Sequence, residues 1–283
     1  MGLIRELSKS RRYSEALAAA EALAAAAPQD RDVLYLIAAN QRCLNRIHEA
    51  LVTLQRLEQQ HPRFSLLHQE RGYCYVTLRD APRGIDAFLQ AVNINPALAT
   101  SWIMLERLYR MTGEATNAAK AAEHVSALKH LPPEVVHAGS LFSDGELSEA
   151  ENILRAYLLN AGTHVEAMRL LARIEHQRGV LDDTESRLEA ALALVPGYHA
   201  ARLDYIRVLM DRQKYLRARE EIDALLRLEP GNRDYLSLYA GACVGLGDHE
   251  RAIALYRQLL AGSPGSSELH VSLGHALQGV GRQ

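Results

Sequence analysis

Three of the many arginines in this sequence stand at wide and nearly regular intervals, and the arginine side chain can bind anions. Arg173 and Arg207 are 34 positions apart, and Arg107 stands 66 positions before Arg173, close to two such intervals. A guanidinium group is planar and always charged, and its N–H groups hold a carboxylate in a two-pronged geometry. If these side chains share one surface, they could bind an anionic ligand or pair with carboxylates of the chain itself.

Motifs for catalysis or metal binding are missing from the sequence. It contains no GxxxxGK[ST], no GxGxxG after a strand, no GxSxG and no HExxH. No two of the 12 histidines stand at i, i+4, and the three cysteines, which show no CxxC spacing, are predicted to be small buried residues. We predict a chain without catalytic residues, cofactor or metal. The alternative is that the chain is an enzyme, which would require a set of catalytic residues that we do not find.

Composition narrows the classes of partner. The 283 residues carry a formal net charge of -2, which gives no overall field that attracts nucleic acid or anionic lipid. No apolar run approaches the length of a membrane span, and the N-terminal stretch is a poor signal peptide. We therefore expect a cytoplasmic chain with no nucleic-acid or membrane partner. Alanine, leucine, arginine and glutamate dominate, which favours helix throughout.

Prolines repeat the interval of 34 residues in two series, and a fixed period of this length indicates a repeat array. The two series are Pro28, Pro62 and Pro96, and Pro196, Pro230 and Pro264. With proline at position 32, the predicted repeats are 31–64, 65–98, 99–130, 131–164, 165–198, 199–232 and 233–266, between partial repeats 1–30 and 267–283. The repeat 131–164 begins LPPEVV and is the least regular, so we expect altered stacking there.

Each repeat has the pattern of a helical hairpin, with helix A at about positions 1–14 and helix B at about positions 15–28. Position 20 is nearly always small, which lets two helix axes approach closely, and position 15 is often the glycine that suits the left-handed end of a helix. The small residues are Ala16, Ala50, Gly84, Ala118, Ala150, Thr184, Ala218 and Ala252. The glycines are Gly113, Gly145, Gly179, Gly247 and Gly281.

The segment AGSPGSS, residues 261–267, places glycine and serine before a helix, as phosphate-binding loops do. It follows a helix instead of a strand, and it falls at the proline position of the repeat. We interpret it as a linker, in which Ser266 or Ser267 caps the last helix.

These hairpins resemble the tetratricopeptide repeat. The fullest matches are Gly72, Tyr75, Phe88, Ala91 and Pro96, followed by Trp102, Leu105, Tyr109 and Ala118. The resemblance implies an all-α, right-handed tetratricopeptide superhelix over 1–283, in which helices A line a concave groove and bind a peptide or protein.

By the same resemblance, six side chains are expected to face the groove and contact an extended, acidic ligand. They are Tyr73, Arg107, Arg110, Arg169, Arg173 and Arg207. In the alternative interpretation, these arginines pair inside the array with its own carboxylates. The candidate carboxylates are Glu70, Glu106, Glu166, Asp204 and Asp211.

The last stretch, SSELHVSLGHALQGVGRQ, has an apolar stripe at Leu269, Leu273 and Leu277 and no following helix B. We expect the chain to be a piece of a longer protein. The alternative is a free-standing scaffold that forms homo-oligomers through its uncapped ends.

Longer stretches, among them HVEAMRLLARIEHQRGVLDDTESRLEAAL and ARLDYIRVLMDRQKY, are similar to bacterial proteins in which tetratricopeptide repeats precede a sulfotransferase domain. This resemblance implies a region that presents a substrate or partner to that domain. The phosphosulfate donor would bind only the catalytic domain, whose residues lie outside this chain.

Overall fold

Seventeen α-helices follow one another in the computed structural model, which describes residues 1–281, and that range contains no β-strand. The predicted all-α fold of helical hairpins is confirmed. In chain order the helices are α1 (Gly2–Lys9), α2 (Tyr13–Ala26), α3 (Arg31–Cys43), α4 (Ile47–Gln60), α5 (Ser65–Thr77), α6 (Ala81–Ile94), α7 (Ala99–Thr112), α8 (Ala115–Lys129), α9 (Pro133–Ser143), α10 (Leu147–Ala161), α11 (Val165–Gln177), α12 (Leu181–Leu194), α13 (His199–Asp211), α14 (Tyr215–Leu228), α15 (Arg233–Gly245), α16 (His249–Ala261) and α17 (Ser267–Gly279). Odd-numbered helices are helices A, and even-numbered helices are helices B.

The chain divides into two compact units, Met1–Ile153 and Leu154–Gln283, called here the N-terminal and C-terminal units. Within each unit most helices pack on the helix that follows them, as α5 does on α6 and α15 on α16. Some helices A also contact the next helix A, as α3 does α5 and α11 does α13. The surface that the helices A of a unit contribute is called here the helix A face. The continuity of a single array over 1–283 stays a prediction.

The turn between helix A and helix B is left-handed in every hairpin. The five glycines predicted at position 15 all have a positive φ, between 67° and 85°. Four further turns place a larger residue there with φ between 58° and 62°, and these are Arg11, Asn45, Arg79 and Gln213. This conformation costs a residue with a Cβ atom about 1–2 kcal/mol. The hairpin geometry is therefore imposed by packing where glycine is absent.

Small residues at position 20 lie in the contact between the two helices of a hairpin, as predicted. Ala50, Thr184 and Ala218 have no exposed surface, and large apolar residues one and two turns later complete the core. Leu54 and Phe88 at position 24 are likewise fully buried. The alternation of small and large side chains sets the distance between helices A and B.

Gly72 on α5 packs directly against the Phe88 ring of α6. A Cβ atom built on Gly72 would lie 2.7 Å from the Phe88 ring. Gly274 occupies the same repeat position in α17, but a Cβ atom there would meet nothing within 4 Å.

We expect Gly72→Ala to lower the free energy of unfolding by about 1–3 kcal/mol, because the methyl group overlaps the Phe88 ring. The control, Gly274→Ala, should be neutral or stabilising by up to about 1 kcal/mol, since alanine favours helix over glycine. Urea unfolding followed by circular dichroism measures both. Equal effects of the two substitutions would contradict this account of the packing.

Candidate binding surfaces on the first helices

Helix α9, from the irregular repeat, is fixed across the N-terminal unit by buried polar contacts. Asn95, which has no exposed surface and ends α6, donates from Nδ2 to Ser140 Oγ at 2.8 Å and to Asp144 Oδ2 at 3.2 Å. Ser65 Oγ, at the start of α5, donates to Asp144 Oδ1 at 2.6 Å. The LPPEVV repeat therefore does depart from regular stacking, because the end of α9 is bound to residues 45 to 79 positions earlier in the chain.

Asp144 is the shared acceptor of this polar cluster. Burial raises the pKa of its carboxyl group, while the hydrogen bonds from Ser65 and Asn95 oppose that rise. A raised pKa in the folded state means that the ionised carboxylate is less well stabilised there than in water. The hydrogen bonds from Ser65 and Asn95 therefore offset a desolvation cost, and each loses its acceptor if α9 moves away.

A cleft of about 730 Å³ lies between α9 and the first helices A of the N-terminal unit. Arg31, on its wall, places its guanidinium group 4.8 Å from the centre of the Phe64 ring. Its N–H groups are already used by Glu146 at 2.8 Å and by Asp32 at 3.2 Å. Arg31 is thus neutralised by carboxylates of the protein itself.

Tyr73, a predicted contact residue, is held on the α5 surface by its neighbours. Its ring packs edge-on against Phe88 with 5.3 Å between ring centres, and the Arg42 guanidinium lies 5.2 Å above it. Arg42 pairs in turn with buried Glu70. Around Tyr73 the nearby arginine, Arg42, therefore pairs with a carboxylate of the protein itself, as in the alternative interpretation.

Arg107 and Arg110 both lie exposed on α7, but their surroundings differ. Arg110 pairs with Glu106 at 2.6 Å within the same helix. Arg107 forms no ion pair with any residue from 1 to 281, and it lines a shallow cleft of about 370 Å³ with Ile103, Met111 and the paired Glu106 and Arg110. Its guanidinium keeps its hydrogen-bond donors available on the helix A face.

Three predicted arginines of the C-terminal unit meet around shared carboxylates. Arg169 Nε donates to Asp204 Oδ2 at 2.7 Å, and its Nη1 to Glu166 Oε1 at 3.1 Å. Arg207 Nη1 donates to the other oxygen of Asp204 at 3.0 Å. Arg173 lies half-buried in the same cluster and feels Asp204, Arg169, Glu166 and Arg207 electrostatically. The spacing of 34 residues does bring Arg173 and Arg207 together on α11 and α13.

The charged groups of this cluster shift one another's pKa values. Burial lowers the pKa of the Arg173 guanidinium, Asp204 and Glu166 oppose that shift, and the neighbouring Arg169 and Arg207 add to it. Burial also raises the pKa of the Glu166 carboxyl against the opposing effect of Arg169, and the Tyr198 hydroxyl donates to Glu166. The guanidinium groups of Arg169, Arg173 and Arg207 thus lie close to the carboxylates of Glu166 and Asp204.

A second cleft, of about 520 Å³, lies on the helix A face of the C-terminal unit between α13, α15 and α17. Arg207 lines it, and so does Arg233, the first residue of α15. Arg233 is not among the six contact residues predicted from the sequence. Arg233 stands at position 1 of its repeat, where Arg31 stands in the N-terminal unit, so this shared position was a usable signal. The groove positions taken from the repeat resemblance do not include position 1.

Other classes of site have less support in the described part of the chain. Residues 1–281 contain no group of three or more histidine, cysteine, aspartate or glutamate side chains placed to hold a metal ion. None of the helices described combines the length and apolar character needed to cross a bilayer. Cys74 and Cys243 are buried as predicted, but Cys43 is exposed, because it ends α3 outside the contact between helices.

Comparison with known proteins supports the repeat fold. Residues 203–267 match the tetratricopeptide repeat family model. No curated protein matches the chain. The solved structures similar to it include a chain of the APC/C hetero-tetramer Cut9–Hcn1, with 16% identity and a TM-score of 0.49 over 94% of this chain and 52% of that one. This chain therefore spans about half of that relative's length.

Two bacterial structures are similar at the same level. MamA from Desulfovibrio magneticus RS-1 has 16% identity and a TM-score of 0.48 over 52% of this chain and 85% of that one. A tetratricopeptide repeat protein from Parabacteroides merdae has 14% identity and a TM-score of 0.42 over 98% of this chain and 96% of that one. The helical hairpins and the match over residues 203–267 are those of a tetratricopeptide-repeat solenoid.

We expect Asn95→Ala to loosen α9, because the change removes buried donors to Ser140 and Asp144 at a cost of about 1–3 kcal/mol. Hydrogen exchange of the amides of α9 should become faster than in the unaltered chain. The control is Glu229→Ala, at the same repeat position but exposed, and it should leave α9 unchanged. Equal protection of α9 in both variants would show that these contacts do not hold the helix.

Proposed function

We propose that this chain is a non-catalytic binding protein, whose helix A face holds a peptide or protein segment with acidic side chains. The observation that carries the proposal is Arg107, a predicted contact residue that is exposed and has no internal carboxylate partner within residues 1–281. Arginines available in this way contribute strongly to protein interfaces, because they form charge-assisted hydrogen bonds in a two-pronged geometry.

Apolar side chains flank Arg107 by one helical turn on each side. Ile103 is 39% exposed and Met111 is 71% exposed, so both offer apolar area to a partner. Methionine adapts its shape to different contacts, and arginine beside apolar surface is typical of interface centres. The best-fitting ligand is therefore an acidic side chain next to an apolar one.

The similarity to sulfotransferase-linked repeats gives this binding a candidate purpose. A repeat region that holds an acidic segment could present it to a neighbouring sulfotransferase domain. A phosphosulfate-binding loop encoded beyond Gln283 in the same reading frame would support this part of the proposal. A reading frame without such a loop would remove the sulfotransferase link and leave the binding role unaffected.

Charge reversal at Arg107 tests the proposed function. The probe is a fluorescently labelled synthetic peptide of repeating Glu-Leu-Ser triplets, measured by fluorescence anisotropy. We expect Arg107→Glu to raise the Kd about tenfold or more, because a charged hydrogen bond is replaced by repulsion.

The matched control is Lys120→Glu, which reverses an exposed charge on α8, the helix B of the same hairpin. It changes the net charge equally but lies off the helix A face, so the Kd should change less than about threefold at 0.15 M salt. If both variants weaken binding to the same extent, attraction to the overall charge explains the result, and the proposed site is wrong.

A further inference from the structure

We propose that the cleft between α13, α15 and α17 binds one compact anionic side chain, a carboxylate or a phosphate, between Arg207 and Arg233. This inference rests on the proposed function and assigns a specific site to it in the C-terminal unit. The cleft volume of about 520 Å³ is within the range typical of ligand sites. Its apolar part is formed by Leu203, Leu238 and Leu269.

Arg233 is held in place without using its charge on a carboxylate. Its Nη2 donates to the Leu259 carbonyl at 2.6 Å, near the end of α16. Gly262 gives the room for this position, since a Cβ atom there would lie 2.2 Å from Arg233 Nη1. No carboxylate within residues 1–281 forms an ion pair with Arg233. Because a guanidinium has five N–H donors, those not used by Leu259 are free for a ligand.

Arg31, at the same repeat position in the N-terminal unit, is neutralised by carboxylates. Arg31 pairs with Asp32, the next residue, and with Glu146, which follows α9. Arg233 is also followed by an acid, Asp234, but its guanidinium is turned to the carbonyl end of α16 instead. The same position therefore carries a neutralised cation in one unit and an available one in the other.

Arg207 supplies the second positive group of the cleft. Its side chain is 58% exposed, and its described ion pair uses only Nη1, with Asp204. The Asp204 carboxylate is shared with Arg169, so it does not fully neutralise Arg207. Arg207 and Arg233 both line the cleft, and two guanidinium groups suit an anion with several oxygen atoms.

Asp234 and Glu268 also line the cleft and oppose an anion. They lie in the first turns of α15 and α17, where a negative charge is favourable because of the helix dipole. Removal of one of these charges should therefore strengthen anion binding, which gives the proposal a test in both directions.

The AGSPGSS segment reaches this cleft as well. Ser263 and Ser266 line it, although the segment is the linker predicted from the repeat, and Ser266 Oγ accepts from the amide of Leu269 as a helix cap. The Ser263 hydroxyl adds a donor beside the two arginines. This glycine- and serine-containing segment thus lines the same cleft as guanidinium groups contributed by α13 and α15.

The test uses three versions of the labelled Glu-Leu-Ser peptide, with glutamate, phosphoserine or glutamine at the acidic positions. We expect both charged peptides to bind with a Kd about tenfold lower than that of the glutamine peptide. Tighter binding of the phosphoserine peptide would identify phosphate as the preferred anion, and tighter binding of the glutamate peptide would identify carboxylate.

Arg233→Gln should reduce this preference and leave the part that Arg107 contributes, and Arg31→Gln, at the same repeat position, should leave the preference unchanged. Glu268→Gln should tighten binding of the charged peptides by about two- to fivefold, as expected when a like charge is removed at the surface. Arg233→Lys, which keeps the charge but loses the fork, should fall between the unaltered chain and Arg233→Gln. Partial binding by Arg233→Lys would also show that the loss in Arg233→Gln is not caused by misfolding alone.

Different results overturn the inference and the proposed function. If Arg107→Glu weakens binding but Arg233→Gln and Glu268→Gln change nothing, the cleft is not the anion site, while the binding role stands. If none of the peptides binds the unaltered chain, the proposed function itself fails. An effect of Arg31→Gln equal to that of Arg233→Gln would likewise overturn the assignment to this cleft.

Discussion

The close contact between the two helices of each hairpin is the constraint on which the rest of the structure depends. A small residue at position 20 of the repeat, such as Ala50 or Ala218, lies fully buried against the partner helix. That spacing, together with a left-handed turn at position 15, fixes the rotation of helix A relative to helix B. Side chains at fixed repeat positions therefore reach the same surface, and side chains 34 residues apart become neighbours. The arginines can act together only because this register is kept.

The same scaffold produces different surfaces according to which carboxylates approach the arginines. In the N-terminal unit, Glu146 is brought against Arg31 by the turn that follows α9. In the C-terminal unit, Arg233 contacts a backbone carbonyl instead. Arg107 likewise differs from its neighbour Arg110, which has Glu106 one turn away. Available positive charge is thus decided locally, by the partner of each guanidinium, and is not visible in the net charge of the chain.

The period, the helices and the turn glycines were predictable from the sequence, because each depends on residues close together along the chain. The left-handed turns at Asn45 and Arg79 were not predicted, since only glycine signals that conformation by its type. The contacts of α9 were missed for a different reason. Asn95, Ser140 and Ser65 are ordinary polar residues, and nothing in their types shows that they meet across 30 to 75 positions.

The candidate sites were predicted in part. The repeat arithmetic correctly placed Arg173 and Arg207 on adjacent helices, and it offered internal pairing as an alternative. It could not decide which arginine pairs, because that depends on side-chain directions that a shared repeat position does not fix. Arg169 and Arg110 have internal partners, whereas Arg107 has none among the residues described. Position 1 was overlooked because the repeat resemblance does not count it among the groove positions.

The polar contacts of α9 also bear on how the chain folds. In solenoids a repeat normally touches only its neighbours, so folding can begin at one hairpin and spread along the array. The contacts of Arg31 with Glu146 and of Ser65 with Asp144 join residues 115 and 79 positions apart. These contacts close long loops, whose entropic cost is met before the contacts form. The N-terminal unit should therefore fold with higher cooperativity and more slowly than a plain array of the same number of hairpins.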